Sequence, residues 1–509
     1  MVIKKLSQDQ VNGTLWRACD TFRGKIDPAI YKDYVLVMLF IKYVSDIYKE
    51  HKEQMMERYD GDAEMVERQM RYERFVLDER STFDYIYDKR NQANVGEIIN
   101  MALEQVEEEN KTKLRGVFKN IDFNSEAILG STKERNTMLK NFLEDFKDLD
   151  LRPSRLIGED IIGNAYEYMI GNFASDAGKK GGEFFTPSEV SELLSRLVKP
   201  EENDRIYDPT CGSGSLLIKA FNKVPNGKAQ IYGQERNGQT HSLCRMNMFL
   251  HKIDDAKIEW GDTLANPKHL ENDKLMKFQV VVANPPFSLD KWASGFAGEG
   301  NDKAFKMEEN LDPYKRFAWG IPPKSKGDFA FVLHMLHSLS EGGRMGVVLP
   351  HGVLFRGAAE GKIRQQIIDM NLLDAVIGLP ANLFFGTGIP ACILVFKQNR
   401  DKKDVLFIDA SGDNCYEKGK NQNKLREEDI QRIVEAYDRY KTEDKFTYVA
   451  SFDEVKENDY NLNIPRYVDT FEEEELVDME EVAENIASIK EELAEVEVQM
   501  AKYLKELGL

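Results

Sequence analysis

The sequence predicts an α/β protein in which a mostly parallel sheet carries helices on both faces, with an all-helical region before it and a helical, coiled-coil tail after it. Three observations predict this. Residues 8–150 show long helical patterns and almost no strand signals. Residues 152–397 alternate short apolar runs with turn residues and helical stretches, the pattern of a parallel sheet covered on both sides. From Phe471 onward the chain is acidic and strictly periodic. A chain of 509 residues is too long for one core, and roughly three structural units are expected. The composition shifts place them at 1–150, 151–470 and 471–509.

Bulk properties exclude some classes. Hydrophobic residues make up 42% of the chain, ample for globular cores. No run approaches the ~18 to 20 apolar residues of a membrane span; the richest, Tyr34 to Tyr43, contains Lys42. Met1 to Gln10 is polar, with no apolar segment behind it to mark export, so the chain is expected to be cytoplasmic. Cys19, Cys211, Cys244, Cys392 and Cys415 lie far apart and odd in number, which predicts free thiols and no metal site. A net charge of −19 is unfavourable for gripping a polyanion unaided. Either basic residues are segregated onto one face, or a partner supplies the grip.

In the helical region, Pro28 starts a long pattern with Tyr31, Tyr34, Val35, Met38, Leu39, Ile41, Tyr43 and Val44 on it, running into the charged stretch Lys49 to Arg58. Its role is either packing or clamping on nucleic acid. The sheet should then use Arg205 to Asp208, Gln230 to Gly233, Lys257 to Trp260, Phe278 to Ala283, Arg344 to Leu349, Ala375 to Leu379 and Cys392 to Phe396. Open sheets of this kind bind ligands at the carboxyl ends of their strands.

Asp208-Pro-Thr-Cys-Gly-Ser-Gly214 lies between the first strand and the helical run Ser215 to Val224. Gly212 and Gly214 permit a tight turn and let a ligand approach the backbone near a helix amino terminus. Leu217 occupies the third-glycine position of a dinucleotide motif, which argues against pyrophosphate. Asp208 suits a positively charged group such as an amino-acid ammonium. Glu235 ends the next strand, where an acid can accept hydrogen bonds from both ribose hydroxyls. Asp262, after the third strand, can accept a bond from an adenine amino group.

Val280-Val-Val-Ala-Asn-Pro-Pro-Phe287 decides the chemistry. Two prolines in series stiffen the loop and remove two backbone donors, so it presents acceptors. An asparagine oxygen beside a proline carbonyl can hold both hydrogens of a planar amine. That amine is a poor nucleophile until its lone pair is drawn out of conjugation, and two acceptors do this. Phe287 offers a flat face for a base, which must leave the duplex to arrive there.

In the tail, Met479, Val482, Ile486, Ile489, Leu493, Val496, Met500, Tyr503 and Leu507 alternate spacings of three and four, a heptad seam of about four repeats. A strict 3.5-residue period over this length favours pairing with another helix.

Gly182-Glu-Phe-Phe-Thr-Pro187, then Asp208 to Gly214, then Asn284-Pro-Pro-Phe287, resembles the amino-methyltransferases of DNA, and most closely the modification subunit of type I restriction-modification systems. Gly327-Asp-Phe-Ala-Phe331, Gly342 to Pro350, Phe384 to Pro390 and Tyr460 to Tyr467 extend the resemblance over most of the chain. It implies a Rossmann-like domain dependent on S-adenosylmethionine that methylates N6 of adenine. On matching positions, Glu183, Phe184, Phe185, Thr186, Pro187, Ser188, Asp208, Thr210, Gly212, Ser213, Gly214, Glu235 and Asp262 would bind the cofactor. Asn284, Pro285, Pro286 and Phe287 would hold the target adenine. The resemblance also implies that the helical domain helps to close around DNA and that the carboxy-terminal helices pair with a specificity subunit. Two modification subunits would join one specificity subunit, and restriction subunits would complete the nuclease form. Rival readings are a solitary adenine methyltransferase, a methyltransferase of protein glutamine, and an inactive nucleoside-binding scaffold. The helical region and the Phe-Thr-Pro element ahead of the glycine loop argue against the second, and intact Asn284 and Phe287 against the third.

Overall fold

The computed structural model describes residues 5–158, 160–176, 186–296, 306–384, 387–420, 422–470 and 479–506. They fall into two compact units, 1–468 and 469–509.

In the first unit, helices lead the chain: α1 (Gln8–Ala18), α2 (Pro28–Arg58), α3 (Val95–Glu109) and α4 (Thr132–Lys147) are its longer members before residue 150. Their starts follow capping chemistry. Asp27 accepts the Ala29 amide at 2.8 Å and is followed by Pro28 at the first position of α2, where a missing N–H costs nothing. Leu36, Val37, Phe40 and their neighbours bury most of α2 in a core shared with α5 (Ile161–Asp176) and with Leu243, Met246, Phe249 and Leu250. The helical part is thus fused by packing to the helix that follows the second strand.

The sheet contains β1 (Arg205–Asp208), β2 (Gln230–Glu235), β3 (Lys257–Trp260), β4 (Phe278–Ala283), β5 (Leu339–Pro350), β6 (Leu373–Gly378), β7 (Ala391–Lys397), β8 (Val405–Asp409) and β9 (Thr447–Ala450). Their order is β9-β8-β6-β7-β5-β4-β1-β2-β3. Pairs around β1 are parallel; β7 runs antiparallel between β5 and β6, and β9 antiparallel on the far edge. β4 shows why the apolar run is a strand. Val280 and Val282 face one core, packed by α6 (Ser188–Val198) and α7 (Ser215–Asn222). Val281 and Ala283 face another, filled by Phe329, Val332, Leu333 and Leu336. Alternate side chains point to opposite faces, so only a continuous apolar run satisfies both.

The second unit is described by one helix, α8 in the order used here (Met479–Glu506). Ile486, Ile489, Leu493, Val496, Met500 and Tyr503 are between 48% and 63% exposed. Leu507, the last member of the seam, lies outside the described residues. No described helix is long and apolar enough to cross a membrane.

Candidate active site

The glycine loop is shaped from below. Gly212 and Gly214 have φ of +54° and +86°. A Cβ on Gly214 would meet Met248 Cε at 2.6 Å and Cys244 Sγ at 2.8 Å, so both conformation and space require glycine. Fully buried Asn247 donates to the Ser213 carbonyl at 3.0 Å and fixes the loop on the helix that follows β2. Ser213 Oγ lies 3.1 Å from Ser215 Oγ at the start of α7.

Around this loop the strand ends bring three acids together. Asp208 is buried at the end of β1, its Oδ1 accepting the Thr210 amide at 2.8 Å. Burial pushes its carboxyl up to about 8, and the nearby Glu235 adds to the effect. Glu235 accepts the Gly212 amide at 3.0 Å and the Asn237 amide at 2.7 Å, one on each oxygen. Burial raises its pKa as well, against the pull of these bonds. Each oxygen keeps a lone pair for a further donor. Asp262 Oδ1 accepts the amides of Leu264 and Ala265, at 2.9 and 3.2 Å, and Oδ2 lies 3.7 Å from Arg236.

A cavity of about 430 Å³ opens over Glu235 and Asp262, lined also by Thr210, Leu264, Pro286 and Phe331 among others. Its size suits a small-molecule ligand. The sequence assigns no role to the apolar walls Leu264, Leu289 and Phe331. Phe331 belongs to the Gly327–Phe331 segment, so the signal for it was present without a role. Also unread is Arg316, a fully buried guanidinium that donates to the carbonyls of Leu264 at 2.6 Å and Thr263 at 3.3 Å. Its charge is met by Asp312 at 2.8 Å, so an ion pair sets the back of the Asp262 loop.

Asn284 follows β4 at the same sheet edge. Its Nδ2 donates to Thr186 Oγ1 at 3.1 Å, joining the Phe-Thr-Pro element to the Asn-Pro-Pro-Phe loop across a long stretch of sequence. Its Oδ1 is buried and has no hydrogen-bond partner among the described residues. Pro285 is buried, and Phe287 packs edge-on against Phe384 with ring centroids 5.7 Å apart. The Pro187 carbonyl accepts the amides of Val190 and Ser191, each at 3.0 Å, so Pro187 and Ser188 open α6. Glu183, Phe184 and Phe185 lie outside the described residues.

Residues 157–476 match the family model described as N-6 DNA Methylase, and residues 11–146 match the HsdM N-terminal domain. The type I restriction enzyme MpnII methylase subunit of Mycoplasma pneumoniae is 34% identical, over 99% of this chain and 98% of that one. The MjaVIII methylase subunit of Methanocaldococcus jannaschii is 33% identical, over 99% of this chain and 86% of the relative. Among solved structures, the type I restriction-modification methyltransferase subunit from Streptococcus thermophilus superposes with a TM-score of 0.78 at 35% identity, covering 91% of this chain and 100% of that one. Two adjoining family matches and full-length relatives of one kind lead to one assignment: this chain belongs to the adenine-N6 DNA methyltransferases, as a methylase subunit of the type I restriction-modification family.

Proposed function

We propose that this chain transfers the methyl group of S-adenosylmethionine to N6 of an adenine turned out of DNA, at sequences chosen by a specificity subunit. The observation that carries the reading is Asn284 Oδ1, a buried acceptor without a partner among the described residues, two positions before Pro286 in the wall of a nucleoside-sized cavity. A buried acceptor left unpaired costs about 1 to 3 kcal/mol, which a bound amine would relieve. The Pro285 carbonyl is the second acceptor. Together they hold both amine hydrogens, draw the nitrogen lone pair out of the ring, and stabilise the positive charge that builds there.

The residues fit the cofactor. Glu235 has lone pairs for two ribose hydroxyls, Asp262 would take an adenine edge, Leu264 and Phe331 form apolar walls for a flat ring, and Asp208, buried just behind Thr210 of the cavity wall, would meet an ammonium group. When bound, the cofactor supplies an electrophilic methyl carbon. Phe287 offers a stacking face to the extruded base, whose flipping costs a few kcal/mol. In-line placement of the two reactants contributes about 7 to 11 kcal/mol. The test is to mix the purified chain with a specificity subunit, DNA and tritiated S-adenosylmethionine. Label should appear on adenine N6; label on protein glutamine instead would refute the proposal.

Two results should accompany it. Glu235→Ala should weaken S-adenosylhomocysteine binding by about 1 to 3 kcal/mol in calorimetry; unchanged affinity would make Glu235 a mere strand end. Asp208, with its carboxyl near 8, is mostly neutral at pH 7. If it meets the ligand's ammonium as a carboxylate, binding must ionise it and release a proton. Affinity should then rise as pH is raised from 6 towards 8, by up to about tenfold per unit well below that value, and level off above it. Asp208→Asn should flatten the profile, and a pH-independent wild type would rule out the contact.

A further inference from the structure

Ser288 leaves the Asn284–Phe287 loop with a φ of +52°, a conformation costly for serine that the surroundings must impose. Asp328 imposes it. Its fully buried carboxylate accepts the Ser288 amide at 2.7 Å through Oδ1, with Oδ2 at 3.4 Å from the Ser288 hydroxyl. Gly327 adds a backbone bond to the Leu289 carbonyl at 3.0 Å. A Cβ on Gly327 would come within 2.9 Å of Trp292 Cβ, so this close approach explains the glycine of the Gly327–Phe331 segment. Asp328 opens the helix Asp328–Ser338, whose Phe329, Val332, Leu333 and Leu336 are locked in the core below the sheet. The acceptor is therefore mounted on a rigid element.

Its countercharge comes from the loop after β5. Arg356 Nη1 donates to Asp328 Oδ2 at 3.0 Å, as a buried carboxylate requires. The Arg356 carbonyl accepts from Arg364 at 2.9 Å, and Arg364 Nε donates to the Tyr460 carbonyl at 2.7 Å. The segment that begins at Tyr460 and the segment that holds Asp328 thus converge on the residue directly behind Phe287.

We infer that Asp328, braced by Arg356, is the positioning residue of the target loop: it fixes the backbone at Ser288 so that Asn284 Oδ1 and the Pro285 carbonyl meet one amine together. The inference rests on the proposed role of that loop. The test uses the full chain assembled with its specificity subunit. Asp328→Ala should lower kcat by about 10²-fold, the usual effect of misplacing reacting groups by an ångström, while S-adenosylhomocysteine affinity stays unchanged. Arg356→Lys, which keeps a cation, should retain more activity than Arg356→Met. An unchanged kcat in Asp328→Ala overturns the clamp. So does a parallel loss of kcat and ligand affinity, the sign of general loosening. Should Asp328→Ala fail to fold, equal rates for the two Arg356 variants would overturn it. A wild-type complex that transfers no methyl group removes the functional reading beneath the clamp, whereas an active wild type indifferent to Asp328→Ala removes the clamp alone.

Discussion

Asn284→Ala in the assembled enzyme should abolish measurable methyl transfer and leave cofactor binding nearly intact. The side chain touches Thr186 through Nδ2 and carries a buried Oδ1 with no partner among the described residues. Alanine removes the acceptor and leaves β4 untouched, because the strand is held by Val280 to Ala283 in two cores. Deleting one preorganised polar group that acts on developing charge usually costs about 10²- to 10³-fold in rate. Here the second acceptor loses its partner too, so the loss should reach or exceed the top of that range. S-adenosylhomocysteine affinity, set by Glu235 and Asp262, should stay within about threefold, less than ~0.7 kcal/mol. Tritium transfer and calorimetry on one preparation separate the two. A variant that methylates at near wild-type rate would remove Asn284 from the reaction, and a large loss of ligand affinity would move it to the cofactor.

Much of the sheet was legible because its strands are buried on both faces. Runs such as Val280 to Ala283 cannot be amphipathic and still fill two cores, so they stand out in the sequence. β8 and β9 are not among the strands the sequence predicts, although Val405 to Ile408 is equally apolar. β8 lies between β6 and β9 and does not pair with β7, the strand before it in sequence, and hydropathy alone names no strand's partners. Nor does hydropathy report direction, so the antiparallel course of β7 between β5 and β6 was invisible. At the site, the glycines are legible because positive φ at 212 and 214 demands that residue type, and Asp208 and Glu235 because they close their strands. The roles of Arg316 and Asp328 are not, although Asp328 stands in the Gly327–Phe331 segment, since a buried charge that holds a loop from behind has no spacing rule. Only the fold brings Asp328 to Ser288.

The other large effect concerns the tail. Removing residues 471–509 should leave a folded chain that binds S-adenosylhomocysteine but no longer joins a specificity subunit stably. Residues 1–468 form a compact unit of their own, containing every described residue of the candidate site. In the other unit, Ile486, Ile489, Leu493, Val496, Met500 and Tyr503 share one heptad seam and are roughly half or more exposed. Six such side chains, each about half exposed and so with about half of the ~1.5 to 3 kcal/mol of full burial still to gain, give roughly 5 to 9 kcal/mol before the cost of association. The seam therefore contributes to pairing most when the partner helix continues the same apolar stripe. On the proposed reading a partner supplies the address: a net charge of −19 leaves phosphate grip to basic residues segregated onto one face or to that partner, and phosphate contacts carry no sequence in any case. The isolated full-length protein should therefore bind DNA weakly, without sequence preference and less still as salt rises. Co-purification, gel filtration and calorimetry on the truncated and full-length chains measure the separation. If the shortened chain still joins the specificity subunit with full-length affinity, the seam is not the interface. If the purified full-length chain alone methylates one defined sequence efficiently, the subunit reading gives way to a solitary enzyme that carries its own recognition.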